Sequence, residues 1–128
     1  MTVGGTTLTM PSDLNNPLAI LDSGTTGIVP NTIANYNTIL NALANSDIVA
    51  WTGLSNSEIT DFWTLKYSAP QGSYTINQAF QVTFDFLGPN GESVPISVPA
   101  SNWFTIQSNG YMYFSVRTSP FFLFRFFF

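Results

Sequence analysis

Apolar and polar positions change rhythm several times along the chain, and each rhythm predicts an element. Val3-Gly4-Gly5-Thr6-Thr7-Leu8-Thr9 places a Gly-Gly pair between short β-prone segments, the signature of a hairpin. Leu18-Ala19-Ile20-Leu21 is a continuous apolar run, as in a strand buried on both faces. It gives way to the polar, glycine-punctuated turn Asp22-Ser23-Gly24-Thr25-Thr26-Gly27. After Pro30, Asn31 is placed as a helix N-cap, and Ile33, Tyr36, Leu40 and Leu43 recur on one helical face.

Residues 45–72 read as irregular, with Trp51 and Trp63 on either side of a helical turn at Ser55 to Thr60. Phe80, Val82, Phe84 and Phe86 then alternate with polar residues, the period of a half-buried strand. Gly88-Pro89-Asn90-Gly91 turns the chain, and Ser93 to Val98 returns as a proline-interrupted edge strand. A last strand is predicted over Tyr111 to Val116, entered through Asn109-Gly110. The expected fold class is all-β with one or two short helices. Asp85 is expected on the solvent face of its strand, and Asp13, Asp47, Glu58, Asp61 and Glu92 in turns or on exposed faces. Trp51, Trp63 and Trp103 are expected to be core or domain-packing side chains, with the lining of a peptide cleft as the functional alternative.

Composition narrows the chemistry. The 128 residues are 45% hydrophobic and 16% aromatic, enough for a single domain with a core. Three basic residues against seven acidic ones offer little to neutralise phosphates, so nucleic acid is not an expected partner. With cysteine and histidine both absent, disulfides, zinc-thiolate sites, thiol catalysis and Ser-His-Asp machinery are excluded. Neither a metal nor a cofactor is expected, and catalysis would have to run on carboxylates, hydroxyls or backbone groups. Few groups titrate on acidification, which suits a protein working in acid.

Residues 1–11 have neither the basic nor the apolar region of a signal peptide. Phe121 to Phe128 is far shorter than the roughly 20 apolar residues that span a bilayer. The Phe-rich residues 118–128 are expected to be an aberrant tail, sticky and foreign to a domain covering 1–117.

Asp22-Ser23-Gly24-Thr25-Thr26 is the one string that carries chemistry. An Asp-Ser-Gly turn after a strand also occurs as an ordinary turn. A phosphate loop of the actin and sugar-kinase type would require a second strand directly afterwards, where Pro30 and a helical pattern stand instead. A haloacid-dehalogenase nucleophile loop would require a second aspartate at the position of Gly24. The string resembles the catalytic loop of pepsin-like aspartic proteases, in their second, C-terminal lobe. The resemblance extends to the short apolar stretch Ile28-Val29-Pro30 and the helix after it. It continues through Phe80 to Phe86, the turn at Gly91, and Val94-Pro95 to Ser101-Asn102-Trp103, which resemble that lobe's late hairpin. Val3-Gly4-Gly5 is similar to the hairpin ahead of the catalytic strand.

The resemblance implies a single lobe of the pepsin-like acid protease fold, with Asp22 as one of two catalytic aspartates. By resemblance, Ser23 bonds across to the partner loop and Gly24 brings a backbone N–H to the carboxylate. Thr25 would hold the outer oxygen of Asp22, and Thr26 would face bound peptide. The implied partners are a peptide or protein substrate and an N-terminal lobe bearing the second aspartate, in a secreted or vacuolar parent protein. This sequence holds one Asp-Ser-Gly and no second such aspartate. The apolar-apolar-Gly-Asp strand that supports the family's catalytic loop is expected after Val116, where the Phe-rich tail stands; Phe86-Leu87-Gly88 mimics it but belongs to a hairpin. The lobe is therefore expected to be incomplete and inactive alone. A homodimer placing two copies of Asp22 together, as retroviral proteases do, is the catalytic exception. The reading of another class is a non-catalytic secreted β domain binding a peptide or glycan.

Overall fold

Two adjacent glycines at the first turn settle the local geometry. Gly4 and Gly5 have φ of 53° and 86°, the paired positive values of a type I′ turn, whose twist matches that of the strands it joins. They connect β1 (Thr2–Val3) to β2 (Thr6–Thr7) in the register Val3 opposite Thr6. A Cβ added at Gly4 would stand 2.5 Å from the Phe80 ring, so glycine is also needed there for close approach. The computed structural model describes residues 1–8, 33–65 and 67–116.

The later elements are α1 (Ile33–Ala44), β3 (Val49–Trp51), α2 (Asn56–Leu65), β4 (Tyr74–Ile76), β5 (Gln81–Leu87), β6 (Ser93–Pro99), a 3₁₀ turn (Ala100–Trp103), β7 (Phe104–Ile106) and β8 (Met112–Phe114). The described residues are predominantly β, with two short α-helices. A four-stranded sheet runs β2-β1-β5-β6, and two-stranded sheets pair β3 with β4 and β7 with β8, all antiparallel.

Alternation along β5 decides which face is buried. Val82 and Phe84 are buried and Phe86 partly so, while Asp85 on the opposite face is exposed. The neighbouring strand β6 is the outer strand of its sheet, as its prolines predict. Gly88 N–H donates to the Glu92 carbonyl at 2.8 Å, which makes that pair a hydrogen-bonded one. Antiparallel alternation then turns the backbone groups of Ser93, Pro95, Ser97 and Pro99 away from β5. Two of these four positions have no N–H to offer, so the free edge is a poor template for another strand.

Three expectations from the sequence need correction. Ile33, assigned to the buried face of the first helix, is 70% exposed. It is the first residue of α1, and the core contact begins a turn later with Tyr36, Ile39, Leu40 and Leu43. Residues 45–72 are not irregular throughout, because β3 and α2 lie within them. Trp63 is inside α2 rather than beyond it: Ile59, Phe62 and Trp63 share one helical face, and burying that face carries the helix through the polar stretch. The last strand is confined to Met112–Phe114, with Tyr111 exposed beside the turn.

Ser55 caps α2. Its Oγ accepts from Glu58 N–H at 3.2 Å, and its own N–H donates to the Glu58 carboxylate at 2.7 Å, a reciprocal capping box. Ser55→Ala is expected to lower stability by about 1 kcal/mol, read as a lower urea midpoint at unchanged slope. The backbone N–H of Ser55, followed by its hydroxyl, holds the Glu58 carboxyl below its ordinary pKa. A depressed value in the folded state stabilises above the unfolded value. That contribution is lost as pH falls through the folded value, and Ser55→Ala should remove only the smaller, hydroxyl share of it from the acid limb, because alanine keeps the backbone N–H.

Candidate functional site

The candidate catalytic string lies in the connection between β2 and α1. Asp22, Ser23, Gly24, Thr25 and Thr26 all fall outside the described residues, as do the apolar run Leu18–Leu21, Asn31, Asp13 and the Phe-rich residues 118–128. What the described residues supply is the framework on both sides of that connection. Upstream, β1 joins the central sheet by pairing Thr2 with Thr83 and Val3 with Val82 of β5. Gly4 N–H extends this pairing by donating to the Gln81 carbonyl at 3.1 Å. Downstream, α1 buries Ile39 and Leu43 completely, and Tyr36 and Leu40 almost so. Burial raises the Tyr36 hydroxyl above its usual pKa.

The tryptophans take the places expected of core residues. Trp103 is fully buried and stacks on Phe84, with ring centroids 6.0 Å apart. Trp63 is buried edge-on against Phe62 and Phe114, at 5.2 and 4.9 Å. Trp51 is half-buried and packs edge-on against Phe62 at 5.0 Å. These aromatic contacts join β3 and α2 to the β7–β8 hairpin in one continuous core. Their indoles are committed to packing, which leaves little ring surface for a ligand.

Polar side chains pair with one another on the exposed face of β5 and β6 and, partly buried, beside β7. The Thr83 and Ser97 hydroxyls are 2.9 Å apart across β5 and β6, and those of Thr105 and Ser115 are 2.8 Å apart. Among the described residues neither pair is hydrogen-bonded to a carboxylate that would make a hydroxyl nucleophilic. Asp85 is exposed, with the Ser93 hydroxyl at 3.5 Å, and Asp47, Glu58 and Glu92 are exposed as expected, while Asp61 is half-exposed. Among the described residues no three of His, Cys, Asp or Glu come together as metal ligands, and no helix is long and apolar enough to cross a membrane.

The candidate site therefore rests on the string around Asp22. Sequence reasoning passed over the Ser55–Glu58 capping box, although its Ser-x-x-Glu spacing is readable. Compared with protein-family models, with curated proteins and with solved structures, the chain matches none.

Proposed function

We propose that this chain is one lobe of a pepsin-like aspartic endopeptidase and contributes Asp22 as one of two catalytic aspartates. The observation that carries the reading is the string Asp22-Ser23-Gly24-Thr25-Thr26 directly after the apolar run Leu18–Leu21. The order of elements around it supports the same reading: a Gly-Gly hairpin before it, a helix after it, and later the long β5–β6 hairpin leading to Trp103.

Hydrolysis without a metal or covalent intermediate needs one group to take a proton from water and another to protonate the carbonyl oxygen. Two carboxylates in contact supply both, because like charges so close cannot both ionise and the pair holds one proton between them. That behaviour is well described for aspartic proteases as a class. Here Asp22 is one member, Ser23 and Thr25 hold the loop and the carboxylate, Gly24 offers its N–H, and Thr26 meets the peptide. The second carboxylate belongs to a partner lobe, and the parent protein is a secreted or vacuolar enzyme.

The 128-residue chain alone is expected to cleave no unfolded protein substrate anywhere between strongly acid and neutral pH. Joined behind a first lobe carrying its own Asp-Thr-Gly loop, it should give acid proteolysis that a statine-type inhibitor blocks. Activity of the chain alone, together with a dimer in sedimentation, would replace the two-lobe arrangement with a homodimer. A joined protein that folds but neither cleaves nor binds the inhibitor would overturn the protease reading.

A further inference from the structure

Two Asn-Gly pairs, Asn90-Gly91 and Asn109-Gly110, occupy turns of the same design. In each, the glycine N–H donates back three residues: Gly91 to the Gly88 carbonyl at 3.1 Å, and Gly110 to the Gln107 carbonyl at 2.8 Å. In each, the glycine has a positive φ, 80° and 83°, as in a type I turn closed by a glycine bulge. A further bond closes each loop, Gly88 N–H to the Glu92 carbonyl and Gln107 N–H to the Tyr111 carbonyl. Local backbone geometry therefore does not distinguish the two asparagines.

Their surroundings do. The Asn109 side-chain oxygen accepts from Tyr111 N–H at 3.1 Å, so its amide is held in place. The Tyr74 hydroxyl donates to the Gly110 carbonyl at 2.7 Å and ties that turn to β4. Gln71 packs so near Gly110 that a Cβ there would meet it at 2.7 Å. At the other turn, Asn90 and Gly91 are exposed, and a Cβ at Gly91 would meet nothing within 4 Å. The Glu92 carboxylate accepts only the backbone N–H of Asn90, at 2.8 Å, and the Asn90 side-chain amide has no hydrogen bond among the described residues.

We propose that Asn90 is a site of spontaneous deamidation in the folded protein, and that Asn109 is protected from it. The Gly91 backbone nitrogen attacks Cγ of Asn90 and loses its proton to solvent. The bond from Cγ to the side-chain nitrogen breaks, and that nitrogen leaves as ammonia. Water then opens the resulting succinimide to aspartate or isoaspartate, adding a carboxylate beside Glu92. Attack requires the turn to open and the side-chain amide to swing over the glycine nitrogen. Opening costs least where a turn is fixed only by its own bonds and most where a distant strand holds it.

The test is to incubate the whole folded chain in mildly alkaline buffer and follow both sites by peptide mapping. Glu58 and Glu92 are the only glutamates, so cleavage after glutamate puts Asn90 and Asn109 on different peptides. Asn90 is expected to gain one mass unit, with isoaspartate as part of the product, several-fold faster than Asn109. In denaturant the two rates should converge. Tyr74→Phe should raise the rate at Asn109 alone. Equal rates in the folded chain, a faster Asn109, or an Asn90 that converts only when unfolded would each overturn the proposal; the comparison of sites in the unaltered chain stands even if the variant does not fold.

Discussion

Asp22→Asn is expected to abolish acid proteolysis by the joined two-lobe protein while leaving its fold intact. Asparagine has the shape of aspartate and cannot carry the shared proton, so water loses its base or the carbonyl oxygen its acid. Removing a positioned acid–base group costs about 10²–10⁴-fold in rate on its own. Loss of a dyad member belongs at the upper end, because the remaining carboxylate then ionises without a partner. The effect should fall on kcat with little change in KM, since the role proposed for Asp22 is at the reacting bond. Ser23→Ala and Thr25→Val should reduce the rate less and shift the pH profile, because they act through Asp22. An Asp22→Asn protein that retained full activity would remove the chain from the mechanism, whatever its resemblance.

Trp103→Ala is expected to produce the largest loss of stability, about 3–5 kcal/mol. Trp103 closes the 3₁₀ turn between β6 and β7, where the four-stranded sheet meets the β7–β8 hairpin. It is fully buried and stacked on Phe84, and its carbonyl accepts Ser115 N–H at 2.9 Å. Truncation would leave an indole-sized cavity at that junction. Against a typical total of about 5–15 kcal/mol, such a loss brings the chain near its unfolding threshold. Trp103→Phe should be far milder. The Trp103 indole N–H is buried with no hydrogen-bond partner among the described residues, and leaving such a donor unpaired costs about 1–3 kcal/mol. Phenylalanine removes the donor as well as some volume, so the two changes oppose each other. Urea unfolding followed by circular dichroism checks both variants; equal midpoints for Ala and Phe would mean that the junction does not depend on the indole.

Two of the hairpins were legible in the sequence because their information is local; of the β7–β8 hairpin only the turn and the second strand were, and β7 was not foreseen. Gly4-Gly5 specifies its turn through positive φ, and the Phe80 to Phe86 alternation specifies a strand and its buried face. Pro95 and Pro99 identify β6 as an outer strand because a residue without an N–H cannot serve a central one. The buried face of α1 follows from its spacing except at Ile33, where the first residue of the helix projects past the core. The reading of the loop around Asp22 rests on its string of residue types alone, because those residues lie outside the described structure.

Tertiary structure decided what short segments do when they meet. The strands β3 and β4 are three residues each, too short for a period, and exist because Val49–Trp51 finds Tyr74–Ile76 across the intervening helix. α2 runs on to Leu65 because Phe62 and Trp63 have aromatic neighbours from β7 and β8 to pack against, Phe104 and Phe114. The two Asn-Gly turns read alike in sequence, but Tyr74 and Gln71 reach only the one at Asn109. Turn chemistry, strand alternation and the Asp22 string were thus set by the sequence itself, since each depends on residues within a few positions. Pairing, burial and protection depend on partners distant along the chain, and only the folded arrangement brings those together.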